Sequence, residues 1–145
     1  MTLVLPDADM LVRKALVAGY AGRGITATVW NLWPDDWYEQ RPLVVARRVI
    51  SGPASDPRFL DAAIVAVTTC ASDRTAASLL ARQTRAVLWD ACVAQFSDAE
   101  AGGYLSHFFE SSAPAEDRSD GPVLHSDAFR FTATYRLTTR PHPAA

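Results

Sequence analysis

Apolar positions at the start of the chain follow a helical period and then a strand pattern. An amphipathic helix is predicted where apolar residues recur three and four positions apart, at Leu11, Val12, Ala15, Leu16 and Tyr20. Acidic residues just after Pro6 supply the negative charge that a helix N-terminus favours, and the glycines up to Gly24 end the helix. The next segment, Ile25–Trp33, is rich in β-branched and aromatic residues and is predicted to be the first strand.

Two further strands follow a loop. The loop, Trp33–Pro42, contains two prolines and three acidic residues, and Leu43–Ile50 after it is predicted as the second strand. Glycine, serine and proline residues between positions 52 and 57 predict a turn. The third strand, Ala62–Thr69, is continuously apolar, which predicts burial on both of its faces.

The second half of the chain begins with the longest helix, predicted from about Asp73 to Gln95 with Ser72 as its N-cap. A short strand is predicted around Tyr104–Phe109 after a turn. The last strand has the clearest pattern, because apolar residues alternate strictly with arginines and threonines from Phe129 to Thr138. It therefore has one apolar face and one face of arginine and threonine.

The predicted order of elements is α-β-β-β-α-β-β. Two helices packed on one face of a mostly antiparallel sheet would bury both apolar stripes, which predicts an α+β two-layer sandwich. The 145 residues fit one domain, 1–145. Within it, Ser111–Asp127 is rich in Pro, Ser and acidic residues and is predicted to be a long mobile loop, and the C-terminus is expected to fray after residue 140.

Composition and charge exclude several classes of protein. The net charge is −2 and the pI is near 5.9, which argues against a chain-wide surface for gripping nucleic acid. No apolar run reaches the roughly 18 residues that a membrane-spanning helix needs, and the N-terminal segment has no basic start or cleavage site of a secretory signal. The chain is therefore expected to be cytoplasmic or assembled there, without membrane contact. Thirteen of the fourteen basic residues are Arg, which is typical of a GC-rich genome.

The residues that could carry catalysis or bind a metal show no such arrangement. His107, His125 and His142 lack the spacing of a ligand pair, and the buried setting predicted for Cys70 and Cys92 suits neither a disulfide framework nor a reactive thiol. Acidic residues cluster only in loops, at Asp35, Asp36 and Glu39 and at Glu116, Asp117 and Asp120. Phosphate-loop, dinucleotide and nucleophile-elbow motifs are absent from the sequence. We predict no enzyme activity, no metal and no cofactor.

Aromatic and arginine residues remain that a monomeric fold does not explain. Trp30, Trp33, Trp37 and Tyr38 fall within nine residues, partly in a loop, and either anchor an interface or cover the core and a sheet edge. Adjacent Arg47 and Arg48 point to opposite faces of a strand, so at least one of them meets a packed or partnered surface. The arginine face of the last strand faces either solvent or another subunit.

Four segments resemble a known family. They are a short N-terminal helix, the strand PLVVARRV, the strand–helix unit DAAIVAVTTCASDRTAASLLARQTRAVL and the closing strand FRFTATYRLTTRP. Together these segments are similar to tail terminator proteins of long-tailed, siphovirus-type bacteriophages. The Ala- and Arg-rich texture is similar to that of phages of GC-rich actinobacteria. The resemblance covers about residues 5–141 and contains no catalytic signature.

The resemblance implies a structural protein of the virion. Tail terminators form a ring, usually a hexamer, at the head-proximal end of the tail tube, where they stop tube polymerisation and join the tail to the head. The implied partners are other copies of the chain, the major tail tube protein and a neck or head-completion protein, while duplex DNA passes through the lumen without specific binding. The residues predicted for subunit or partner contacts are Trp33, Trp37, Tyr38, Arg47, Arg48, Arg82, Arg85, Arg130 and Arg136.

Two alternatives stay open at the level of sequence. Another head–tail connector, such as a neck or head-completion ring, would have nearly the same composition and order of elements. A small cytoplasmic enzyme or ligand-binding domain would instead place Cys70 or His107 in a pocket.

Open edges of a small sheet are also expected to be available for pairing between subunits.

Overall fold

A computed structural model of the chain describes residues 4–49, 56, 58–117 and 128–143. It contains two helices and one six-stranded sheet with the strand order β1-β2-β3-β6-β5-β4. The elements are α1 Ala8–Arg23, β1 Thr28–Trp30, β2 Leu43–Arg48, β3 Asp61–Ala71, α2 Arg74–Val93, β4 Ser97–Asp98, β5 Gly103–Glu116 and β6 Phe129–Pro141. This confirms the α+β fold and the predicted order, to which the structure adds the two-residue strand β4.

The first helix has well-defined ends. The Asp7 carboxylate accepts a hydrogen bond from the backbone N–H of Met10 at 3.1 Å and so caps the N-terminus. Gly24 ends the helix with φ +66°, a left-handed conformation that glycine adopts without steric cost. The apolar stripe predicted from Leu11 to Tyr20 is buried.

The second helix begins one residue later than predicted. Asp73, not Ser72, is its N-cap, because Asp73 is the extended residue and its carboxylate accepts the N–H of Ala76 at 2.8 Å. The two helices pack closely, and Tyr20 and Thr84 form a buried hydrogen bond between them. The Thr84 hydroxyl in turn donates to the Leu80 carbonyl at 2.7 Å, so the proton shared with Tyr20 comes from the tyrosine.

Both helices cover the same face of the sheet. The main core cluster joins apolar residues of both helices to the inward residues of the strands, among them Val44, Val65, Tyr135 and Leu137. β3 and β6 lie at the centre and pair antiparallel over eleven residues, from Asp61 opposite Thr139 to Ala71 opposite Phe129. The alternation predicted for β6 is present, with its odd-numbered residues inward.

Two strand predictions need correction. The first strand is only Thr28–Trp30, because the chain leaves the sheet at Asn31, whose side chain takes over the bonding to β2. β3 is buried on the helix side but only half-buried on the other, since no second layer covers that face among the described residues. The apolar run predicted burial on both faces because the residues on the second side of β3 are mostly small alanines and threonines.

The predicted loop at 111–127 starts too early. β5 continues through Glu116, and its far half pairs with β6 through Ser112 opposite Thr134 and Ala115 opposite Thr132. Glu110 and Glu116 on the helix side are held by ion pairs to Arg85 and Arg74, which add to the pairing with β6 and offset the weak strand propensity of this stretch. Residues 118–127 lie outside the described residues. At the other end, β6 runs to Pro141, three residues past the predicted alternation, which ends at Thr138, and one residue past the point after which fraying was expected.

Candidate functional site

The side of the sheet that faces away from the helices is covered at one end by the loop Trp33–Pro42 and is otherwise uncovered among the described residues. We call it the open face and define it by the outward residues of β2, β3, β5 and β6. Its central strip is half-buried and consists of small and threonine side chains with one isoleucine, at Ala62, Ile64, Ala66, Thr68, Thr132, Thr134 and Thr138. Such a flat strip of short side chains permits close approach of another surface.

Four arginines project from the open face, at Arg47, Arg130, Arg136 and Arg140. None of them forms an ion pair among the described residues. The ion pairs that the structure shows lie elsewhere, on the helix layer, at the helix-side rim of the sheet or in the connection before β3, as with Lys14–Asp98, Arg48–Asp61 and Arg58–Asp56. The open face is therefore positively charged although the chain as a whole carries a net charge of −2.

The loop Trp33–Pro42, here called the aromatic loop, folds over one end of the open face. Trp37 packs on a small core cluster that Leu43, Val45 and Cys70 form on that side of the sheet. The Arg130 guanidinium lies over the rings of both Trp33 and Trp37, at 5.1 and 5.3 Å from their centroids. The two indoles meet edge to face at 5.8 Å.

Hydrogen bonds within the aromatic loop fix its shape. Backbone N–H groups of Trp37 and Glu39 donate to the carbonyls of Pro34 and Asp36, and the Gln40 amide donates to the Asp36 carboxylate at 2.8 Å. The Arg41 guanidinium lies 3.7 Å above the Tyr38 ring and also donates to the Tyr38 carbonyl. Asp35, Asp36 and Glu39 are all exposed on this ordered loop.

The edge of β2 beyond the three-residue strand β1 and the edge of β5 are both poorly suited to strand pairing. Beyond β1, the Asn31 amide donates to the Ala46 carbonyl at 2.9 Å and the Asp9 carboxylate accepts the Arg48 N–H at 2.6 Å. At the other edge, β4 covers only the start of β5, and the rest of β5 has register shifts between Leu105 and His107, Glu110 and Ser112, and Ser112 and Ala115. Bulges and edge caps of this kind disfavour pairing with another strand. Side-chain surfaces are thus better suited to association than the edges that the sequence suggested.

A profile of the phage tail termination protein family matches residues 4–144. The chain belongs to this family. Membership supports a structural role in a phage tail, and hence a component of the virion, in preference to a catalytic one. A search of curated proteins finds no match.

The structure separates the arginines predicted for contacts into three groups. Arg48 and Arg85 are engaged within the chain, because Arg48 binds Asp61, with one bond of 2.8 Å, and Arg85 binds Glu110 at 3.0 Å. Arg82 is exposed on α2 with no ion pair among the described residues. Arg47, Arg130 and Arg136 share the open face, and Trp33, Trp37 and Tyr38 lie in the aromatic loop at its border.

The sequence analysis did not identify the exposed apolar residues that lie outside the aromatic loop. Phe109 is 49% exposed at the border of the open face, where the Arg136 guanidinium lies 4.8 Å above its ring. Trp89 is 53% exposed on α2 and meets Phe108 edge to face at 5.5 Å. The spacing Leu79, Arg82, Ala86, Trp89 and Val93 was the available signal, since it marks a second, outward stripe on α2.

The residues considered for chemistry are dispersed. Cys70 and Cys92 are both buried and form no disulfide with each other, and burial raises the pKa of Cys92 to about 12, which opposes formation of a thiolate. His107 is exposed on β5, His142 lies beside Tyr104, and His125 and Asp120 are outside the described residues. No three His, Cys, Asp or Glu side chains in the described ranges are placed to hold a metal ion. Among the helices described here, none is both long and apolar enough to cross a membrane.

Proposed function

We propose that the chain forms a closed ring of six copies at the head-proximal end of the tail tube of a siphovirus-type phage. The ring ends tube polymerisation and presents the surface to which a neck or head-completion protein binds. Its partners are other copies of the chain and the major tail tube protein. The family match over residues 4–144 supports the place of action, and the arginine-rich composition supports a host with a GC-rich genome.

The observation that carries the ring is the open face. A sheet with helices on one side only leaves its other side to solvent or to a partner, and this side carries a flat half-buried strip bordered by Trp33 and Phe109. Partly exposed aromatic and arginine side chains are enriched in protein interfaces. Because both sheet edges are protected, the open face and its border supply the contact area.

Size and charge are consistent with a conduit for DNA. A 145-residue domain has a radius of gyration of about 15 Å, too small for a single copy to surround duplex DNA, so a channel needs several copies. A net charge of −2 per copy does not favour tight retention of phosphates. DNA therefore passes through the lumen without specific binding.

Assembly with tube protein tests the proposal. Purified chain is examined for its mass by light scattering and for rings by negative-stain microscopy, alone and with polymerising tube protein. We expect rings, seated at one end of each tube, and shorter tubes as the ratio of chain to tube protein rises. A chain that stays monomeric and leaves tube length unchanged contradicts the proposal, whereas rings that bind only a neck protein would identify a different connector.

A further inference from the structure

We propose that Asp35 and Glu39 of the aromatic loop in one copy of the chain bind Arg47 and Arg136 on the open face of the next copy. This inference rests on the proposed ring and names the contact that closes it. Its basis is a set of opposite charges that are unpaired within one copy and lie at separate places on it.

The charges on both sides of this contact lack partners in the single chain. Arg47 is exposed and Arg136 stacks on Phe109, and neither has an ion pair within the described part of the chain. Asp35 and Glu39 are exposed and have none there either. Asp36 differs from its neighbours, because the Gln40 amide already binds its carboxylate.

The surroundings of Arg47 carry charges of both signs. Arg47 lines a cleft at the β2 edge together with Arg13 and Arg48 and with the carboxylates of Asp7 and Asp9. Arg48 already has a carboxylate partner, and backbone N–H groups engage both carboxylates of the cleft, Asp7 at the cap of α1 and Asp9 at the edge of β2. Arg47 and Arg13 are therefore the guanidinium groups of this cleft that have no ion pair among the described residues and can receive a carboxylate.

The two charge sets are too far apart to meet within one copy. The aromatic loop is seated where Leu43, Cys70 and Arg130 end the sheet. Arg47 lies about 13 Å farther along β2 than Leu43, and Arg136 about 20 Å farther along β6 than Arg130, at roughly 3.3 Å per residue. A contact between two different patches of identical copies is head-to-tail, and such contacts form a ring when the rotation from one copy to the next closes on itself.

The aromatic loop is already shaped for this contact. Its internal hydrogen bonds and the stacking of Arg130 on Trp33 and Trp37 hold it in one conformation. A preformed loop loses little conformational entropy on binding, so more of the charge attraction remains as affinity. Exposed Trp33 beside the acidic residues adds an apolar anchor.

Charge reversal on each side tests the contact. The face variant is Arg47→Glu, the loop variant is Asp35→Arg combined with Glu39→Arg, and assembly is measured by light scattering under conditions where the wild type forms rings. Each variant alone is expected to raise the concentration needed for ring formation by about tenfold or more, since like charges then meet at each contact. An equimolar mixture of the two is expected to restore rings of alternating copies, and so is one chain carrying all three changes.

Matched control variants show whether a loss of rings is specific to this contact. Arg23→Glu makes the same change of charge on the helix layer, at a residue not predicted for contacts, and is expected to leave rings intact. Arg136→Gln is expected to weaken them without introducing a negative charge. Circular dichroism and thermal unfolding of each monomer check that the fold persists.

Several outcomes would overturn the inference. Rings that resist Arg47→Glu and Arg136→Gln, a mixture that fails to reassemble, or equal loss with Arg23→Glu each reject it while the proposed function stands. Intact Arg47→Glu rings with weakened binding of duplex DNA would assign the open face to the lumen. A wild type that forms no rings with or without tube protein rejects the inference and the proposed function together.

Discussion

At the scale of single residues, a glycine lies at the packing contact between the two helices. A Cβ atom built on Gly19 of α1 would lie 2.3 Å from Val87 Cγ1 of α2, far inside van der Waals contact. Gly22, one turn later in the same helix, has no atom within 4 Å of such a Cβ. The absence of a side chain at Gly19 thus sets how closely the helices pack, whereas Gly22 has no such role.

We expect Gly19→Ala and Gly22→Ala to change stability in opposite directions. Gly19→Ala should lower the free energy of unfolding by about 1–3 kcal/mol because the added methyl forces Val87 or the helix to move. Gly22→Ala should raise it by about 0.5–1 kcal/mol, since alanine is the better helix former. Urea unfolding of both variants measures the difference, and equal effects would show that the helices do not pack as described.

A second residue-scale prediction concerns acid stability. Hydrogen bonds from the Ala101 N–H at 2.8 Å and from Lys14 Nζ at 3.0 Å lower the pKa of Asp98. A carboxyl group whose pKa is lowered by folding contributes stability above its ordinary pKa of about 4, and this contribution is lost as the pH falls through the folded value.

The stability of an Asp98 variant is therefore compared with that of the wild type at neutral and at acidic pH. Asp98→Asn should lower the melting temperature near pH 7, and its gap from the wild type should narrow as the pH falls below the ordinary aspartate pKa of about 4. Asp35→Asn, at an exposed position without an ion pair in the described part of the chain, is the control and should follow the wild type throughout. A gap for Asp98→Asn that does not depend on pH would mean that its charge contributes nothing.

At the scale of elements, the aromatic loop combines a packing role with an exposed surface. Trp37 is half-buried on Leu43, Val45 and Cys70, whereas Trp33 is 38% exposed beside it. The two tryptophans therefore offer a way to separate monomer stability from assembly.

Truncation of each tryptophan should give a different result. Trp37→Ala should lower the free energy of unfolding by about 1–3 kcal/mol through lost packing, and weaken assembly as well. Trp33→Ala should leave unfolding nearly unchanged and weaken assembly alone. Thermal unfolding and light scattering of both variants check this, and normal assembly of Trp33→Ala would remove Trp33 from the interface.

Elements with regular patterns were predictable from the sequence, and those held by distant partners were not. The period of β6 and the stripe of α1 gave both elements correctly, because their own residues define the buried face. The far half of β5 depends on pairing with β6 and on the Arg74–Glu116 ion pair, neither of which local composition reveals. In the same way, nothing in the sequence places Arg130 on Trp33 and Trp37, since the contact exists only once β6 lies beside β3.

At the scale of the whole molecule, charge is sorted between two surfaces. Ion pairs on the helix layer, such as Arg23–Asp90 and Arg85–Glu110, use up charges there, while the arginines of the open face form no ion pair with any described residue. A nearly neutral chain can therefore carry one positive surface, and composition alone does not disclose it.

Salt should therefore weaken assembly without unfolding the monomer. The screening length falls from about 10 Å at 0.1 M to about 3 Å at 1 M salt, so contacts between exposed charges lose most of their long-range attraction. We expect rings to dissociate as salt rises over this range while the thermal unfolding of the monomer stays nearly constant. Rings that tighten with salt would indicate an interface dominated by apolar burial.

The protected borders of the sheet have a consequence for growth. A protein that halts a polymer must not become the seed of another one, and an unguarded β-strand would let copies add without limit into a fibre. Asn31 and Asp9 on one side and the bulges of β5 on the other remove that template. In the proposed ring, association is left to side-chain faces, and a ring that closes on itself has a fixed number of copies.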